Sequence, residues 1–143
     1  DGWWRSGDSA EIINNGDLKR LKIIGRLDTS IHSGGETIFP ERIQKRLIAN
    51  ASKAQMPIES LLLTSEIDQE WGERLIALVR FNDKCNLNQS PKIFKDLKEL
   101  VKDWMPAERP KAWYYCPTLQ RNNNGKWEQS KWKAWVKTQK PII

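Results

Sequence analysis

Histidine and cysteine are nearly missing from this sequence, which holds one of the first, His32, and two of the second, Cys85 and Cys116. A zinc site takes about four nitrogen or sulfur ligands, and a serine–histidine relay needs a histidine with a carboxylate behind it. Both chemistries are left with almost nothing, no metal site is expected, and His32 reads as a loop residue. The two cysteines are too few for a disulfide framework, which implies a reduced, cytoplasmic setting. No apolar run approaches the roughly 18–20 residues that cross a bilayer, so no membrane span is expected. Long repeats and low-complexity tracts are absent too. A single block of basic charge is also lacking. Lys92, Lys95, Lys98 and Lys102 share a predicted helix with Asp96, Glu99 and Asp103, the pattern of a solvated face with opposite charges three or four apart.

What is present is a 143-residue chain, 38% apolar and 29% charged, long enough to bury one modest core. Its 24 Lys and Arg outnumber 18 Asp and Glu, for a net charge of +6. That surplus suits nucleic acid and equally a phosphate-rich small molecule. The chain opens on Asp1-Gly2-Trp3-Trp4, and an independent domain rarely starts on such a turn-rich aromatic segment. The expectation is a piece of a longer protein that folds alone and is catalytically inert alone.

Residues 9–13 and 18–24 are β-prone and flank Asn14-Asn15-Gly16-Asp17, a strong hairpin signal because tight turns need positive φ. Residues 25–35 read as a polar connector, 37–39 as extended, and Pro40 as the first residue of a helix over 41–50, with Ile43, Leu47 and Ile48 on its apolar stripe. Apolar runs at 58–63 and 74–81 predict central strands separated by a turn at 70–73. A helix is expected from Ser90-Pro91 to about Trp104, a short strand over 113–116, a loop over 120–125, and a closing helix over 128–137 carrying Trp132 and Trp135. The sum is an α+β domain: an N-terminal β-hairpin, then a small mixed sheet packed with two or three helices.

Three segments, in this order, resemble the C-terminal domain of the adenylate-forming superfamily of acyl-CoA synthetases, luciferases and peptide-synthetase adenylation domains. The first is Gly2-Trp3-Trp4-Arg5-Ser6-Gly7-Asp8. The second runs from Gly25-Arg26-Leu27-Asp28 through Ser33-Gly34-Gly35-Glu36 to Pro40-Glu41. The third is Asn124-Gly125-Lys126. The ending from Trp127 to Trp135 is further similar to a branch of acid–CoA ligases in quinone biosynthesis. The resemblance implies a mobile lid: residues 1–27 form an adenylate-binding turn and hairpin leading to a hinge, residues 28–143 form the lid, and a large N-terminal domain is absent from this sequence. It implies ATP, CoA and Mg²⁺, the metal held mainly by that absent domain. The implied partners are that N-terminal domain and a carboxylic acid, without nucleic acid.

The same resemblance assigns roles. Lys126 falls on the catalytic lysine, where a mobile cation neutralises a carboxylate approaching the α-phosphate of ATP; otherwise it is one more solvated lysine. Asp8 falls on the group that accepts hydrogen bonds from the ribose hydroxyls, as against a turn or capping aspartate. Arg26 either donates to the ribose or phosphate side or forms a hairpin-edge salt bridge. Asp28 falls on the hinge, where a few torsions swing the lid. Ser33, Gly34, Gly35 and Glu36 fall on the face bordering the CoA pantetheine, as against a plain turn. Trp104, Trp132 and Trp135 read as core, and Trp3 and Trp4 as facing the companion domain. Ser6 stands where threonine is commoner, Gln129 where many relatives have arginine, and Gly34 where some have lysine; substrate choice stays open. Two rivals remain: an adenylating enzyme that hands its acyl group to a carrier protein, and a small basic nucleic-acid-binding module with exposed aromatics on one sheet face.

Overall fold

A computed structural model describes residues 2–143. Strands β1 (Asp8–Asn15) and β2 (Leu18–Arg26) form the antiparallel hairpin, with Asn15 opposite Leu18 and a two-residue loop, Gly16-Asp17. Gly16 takes φ +65° there, the conformation that the Asn-Gly signal requires. The strands run longer than the sequence implies and absorb Asn14 and Asn15. Ala10 faces Ile23 and Ile12 faces Leu21, so these apolar side chains share one face of a two-stranded ribbon. That face is open: Ile12, Leu21 and Ile23 are exposed.

The expected polar connector over 25–35 is more structured than its composition indicates. It holds the end of β2, a 3-10 turn at Leu27–Thr29, strand β3 (Ile31–Ser33) and the turn into β4 (Glu36–Ile38). His32 therefore lies on a strand, exposed, with Nδ1 3.5 Å from Thr37 Oγ1, rather than in a loop. Three-residue strands give too short an alternation to read, which is why they look like loop.

Helix α1 (Pro40–Lys53) starts on a proline whose missing N–H costs nothing at a helix start. It buries Ile43, Gln44, Leu47 and Ala51; Ile48 is exposed, one position off the expected stripe. Buried Gln44 has a partner, since the N–H of Leu63 donates to its Oε1 at 2.9 Å. A neighbouring side chain thus satisfies a main-chain donor of β5 (Ile58–Asp68). Strand β6 (Gly72–Phe81) pairs antiparallel with β5 from Asp68↔Gly72 onward, touches β3 at Ser33↔Gly72, and carries β7 (Ala112–Tyr115) in parallel. The main sheet therefore mixes both strand senses in the order β4-β3-β6-β5, with β7 alongside β6.

Leu75, Ile76, Ala77, Leu78 and Val79 are all buried because both faces of β6 are covered. On one face Leu61, Leu63, Leu75, Ala77 and Val79 meet α1 and the Ile93, Phe94 and Leu97 side of α2 (Ser90–Leu100). On the other, Leu62, Ile76 and Leu78 meet Tyr114, Leu119 and the Trp132 and Val136 side of α3 (Gln129–Val136). Helix α2 ends four residues short of Trp104: Pro106 limits the preceding backbone, and 101–104 closes as a turn with Trp104 N–H on Val101 O at 3.0 Å. Trp104 is buried from that turn, with Arg46 stacked 4.0 Å above its ring.

One acid pins the β5–β6 turn. The Asp68 carboxylate accepts from Lys111 Nζ at 2.9 Å and from the N–H groups of Trp71 and Glu70 at 2.9 and 3.0 Å. Chiefly the lysine, then the two amides, hold its pKa down to about 2, from an ordinary 3.8. Because the folded value is the lower one, this contribution is complete above about pH 4 and is lost as pH falls toward 2. Acid titration followed by Trp71 fluorescence should show the turn loosening in that window, and Asp68→Asn should remove the transition.

Candidate functional site

The first and second motifs meet. Gly7 takes φ +77° and its carbonyl accepts the N–H of Leu27 at 2.8 Å, while the N–H of Asp8 donates to Ser6 Oγ at 3.2 Å. Asp8 and Arg26 stand opposite each other at the open end of the hairpin. Arg26 turns its guanidinium to both carboxylates: Nε and Nη2 donate to Asp28 Oδ1 and Oδ2 at 3.0 and 3.2 Å, and Nη1 lies 3.9 Å from Asp8 Oδ1. The forked contact with Arg26 lowers the Asp28 pKa, and the same contact raises that of Arg26. Exposed pairs of this kind add little stability; their effect is orientation, with two acids and one cation gathered on one surface.

Asp28 sits inside the 3-10 turn that links the hairpin to the main sheet, a three-residue joint with no buried side chain. Its closure rests on Ser30, whose Oγ donates to Leu27 O at 2.7 Å, and Thr29, whose Oγ1 donates to Arg26 O at 3.3 Å. Just before it, Gly25 lies against Phe39: a Cβ there would come within 2.6 Å of Phe39 Cδ1. A side chain at 25 would therefore force Phe39 or the backbone beside it to shift.

Ser33, Gly34, Gly35 and Glu36 form the β3–β4 hairpin turn. Gly34 and Gly35 take φ +57° and +85°, both in the left-handed region that a tight turn of this kind demands. Gly34 has a second constraint, since a Cβ would meet Trp71 Cε3 at 2.7 Å, and its N–H is taken by Trp71 O at 3.0 Å. Gly35 faces open space, Glu36 is exposed, and Ser33 is fully buried with no partner for its hydroxyl.

Lys126 is exposed at the end of a self-braced loop. Asn122 Oδ1 accepts the N–H groups of Asn124 and Lys126 at 3.0 and 2.9 Å, and Asn122 N–H donates to Lys126 O at 2.8 Å. The Lys126 ammonium makes no ion pair or side-chain hydrogen bond among the described residues. Lys126 does not contact Asp8, Arg26 or the Gly34-Gly35 turn through any such bond. Asp28, Thr29 and Ser30 line a cavity of about 340 Å³ that Trp127, the residue after Lys126, also lines.

The sequence reading missed a basic cavity of about 750 Å³. Arg74, Lys95, Lys98, Lys102, Arg109 and Lys111 line it with one acid, Glu99, over apolar Pro91, Val101, Pro110 and Ile143, and Lys111 is already paired with Glu66 and Asp68. Half of what looked like a solvated helix face therefore faces a concavity, although Lys102 does pair with Glu99. Only the fold could show this, because its walls come from β6, α2, 109–111 and the chain end. Arg74 also stacks 4.4 Å over Trp71, so one packed line runs from Gly34 through Trp71 and Arg74 to the cavity. Among the described residues no group of three or more His, Cys, Asp or Glu is placed to hold a metal, and no helix is long and apolar enough to cross a membrane.

No protein-family model matches the chain. It is 27% identical over 151 residues to the 2-succinylbenzoate–CoA ligase of Escherichia coli, covering 97% of this chain and 30% of that protein. It is 25% identical over 122 residues to a 4-chlorobenzoate–CoA ligase of an Arthrobacter species, covering 85% and 21%. The structure of E. coli MenE with bound OSB-AMS superposes with a TM-score of 0.65 at 31% identity, over 96% of this chain and 27% of that one. The chain thus spans less than a third of the length of these proteins. In fold and sequence the chain is similar to part of the AMP-forming acyl-CoA ligases. Within that class its similarity runs to the 2-succinylbenzoate–CoA ligases.

Proposed function

We propose that this chain is the mobile C-terminal lid of an ATP-dependent acid–CoA ligase acting on o-succinylbenzoate, which joins carboxylate and CoA while ATP becomes AMP and pyrophosphate. The observation that carries the reading is an exposed, unpaired lysine on a braced loop that shares a cavity wall with a small exposed joint. In the first half-reaction the carboxylate oxygen attacks the α-phosphorus and pyrophosphate leaves. Two anions about 4 Å apart repel by about 4 kcal/mol at an effective dielectric of 20, so a lysine delivered to that point lowers the barrier substantially. Asp8 then accepts from the ribose hydroxyls, with Arg26 beside it as donor.

In the second half-reaction the thiol attacks the acyl carbon and AMP leaves. Lys126 must first withdraw, and rotation at Asp28 brings up the Ser33-Gly34-Gly35-Glu36 turn instead. Gly35, with open space at its Cα, admits a slim pantetheine arm. The cavity beyond Trp71 offers Arg74, Lys95, Lys98 and Arg109 as cations for the phosphates of CoA. Residues 1–27 then belong with a large N-terminal domain that also holds most of the Mg²⁺ ligands. The open apolar face of the hairpin supports this division, because a two-stranded ribbon needs another layer to cover it. A cytoplasmic site goes with two free cysteines, Cys116 being buried with its thiol pKa pushed up by that burial.

Incubating the full-length protein with o-succinylbenzoate, ATP, Mg²⁺ and CoA should yield the acyl-CoA and AMP by mass spectrometry. Product that forms only when an acyl carrier protein replaces CoA would contradict the CoA assignment. Reversing charge in the cavity with Lys95→Glu and Lys98→Glu should raise KM for CoA about tenfold, from a loss of about 1 kcal/mol or more of attraction, while pyrophosphate exchange is unchanged.

A further inference from the structure

We infer that Arg121 and Trp127 are positioning residues for Lys126, closing the two ends of its loop into a clasp that delivers the lysine preformed. The Arg121 guanidinium does two things at once: Nη1 donates to Gly125 O at 3.0 Å, and its plane lies 5.0 Å from the Trp127 ring centroid. The residue before the Asn122 brace is thereby joined both to the residue after the lysine and to the carbonyl just ahead of it. Trp127 in turn is partly buried against the cluster containing Leu62 and Trp132, so the clasp is seated on the sheet rather than free in solvent. The indole lines two cavities, one of about 650 Å³ that Arg121 also lines and the one of about 340 Å³ beside Asp28. Its Nε1 is buried with no partner among the described residues, so the ring is held there by packing and by the arginine and not by a hydrogen bond of its own. Truncating it would remove part of the wall of both and leave the loop without that packing. Lysine has a long, flexible stem, and a loose root would spread its ammonium over a wide volume at the moment of attack. A misplacement of 1 Å can cost about 100-fold in rate.

The inference rests on the role given to Lys126 above, and the test separates the two. In the full-length protein, Trp127→Ala and Arg121→Ala should each lower the o-succinylbenzoate-dependent ATP–pyrophosphate exchange by about 10- to 100-fold. Thioester formation from a supplied acyl-adenylate should stay within about twofold of wild type, because the clasp has then swung away. Hydrogen exchange across residues 122–126 should speed up in both. Trp127→Phe keeps a ring to wedge and to stack, and should restore most of the exchange activity. Arg121→Lys keeps the charge but loses the planar fork and should behave like Arg121→Ala. Equal loss of both half-reactions, or unchanged exchange activity in Trp127→Ala, overturns the clasp. A Lys126→Ala protein that exchanges normally in the same assay overturns the role of the lysine itself.

Discussion

Lys126→Ala in the full-length protein should lower acyl-adenylate formation by about 10²- to 10³-fold, roughly 3–4 kcal/mol of barrier, and leave thioester formation from preformed adenylate near the wild-type rate. The asymmetry follows from what the side chain touches. Among the described residues its ammonium makes no ion pair or hydrogen bond and the residue is exposed, so truncation should change stability little. Only the step in which negative charge accumulates between carboxylate and phosphate needs the cation. Single-turnover measurements of the two half-reactions check this, with thermal unfolding run alongside. Lys126→Arg should recover little, because a broad, planar fork does not replace a compact charge at one oxygen.

Trp132→Ala should be severely damaging to stability, costing about 3–5 kcal/mol and lowering the unfolding midpoint by roughly 10–17 °C. Trp132 is 1% exposed and is the most deeply buried side chain that α3 sets against the second face of the sheet. α3 is only eight residues long, too short to hold itself helical without that packing. The loss should spread to the loop before it, so that exchange in 120–128 rises with the fall in midpoint. Trp132→Phe should cost much less, since it keeps most of the apolar volume and removes an indole N–H that is buried without a partner. Calorimetry of the three proteins distinguishes these sizes.

The parts legible in the sequence were those governed by short-range chemistry. Asn15-Gly16 marks its turn because only a residue tolerant of positive φ fits there. Leu75–Val79 reads as a strand because both its faces are buried. Lys126 stands out only through the resemblance of Asn124-Gly125-Lys126, set before a closing helix, to the last motif of the adenylate-forming superfamily. What escaped were features made by distant segments. The 3-10 turn around Asp28 and strands β3 and β4 hid in a polar stretch too short to show alternation, where only the family resemblance singled out Asp28 and residues 33–36. No local pattern marks Gln44, yet it is buried and receives one N–H of β5. Trp71 signalled only a turn, and its packing on Gly34 and under Arg74 appears only once β3 and β6 lie side by side. Likewise the lysines of α2 belong to a cavity whose other wall starts at Arg109, and no local pattern reveals that.

The most direct measurement is the incorporation of labelled pyrophosphate into ATP by the full-length protein, with o-succinylbenzoate present and CoA left out. A lid that brings a cation to a carboxylate attacking ATP predicts carboxylate-dependent exchange without any thiol. Absence of exchange with this or any other carboxylate, from a folded protein that binds ATP, would contradict the account.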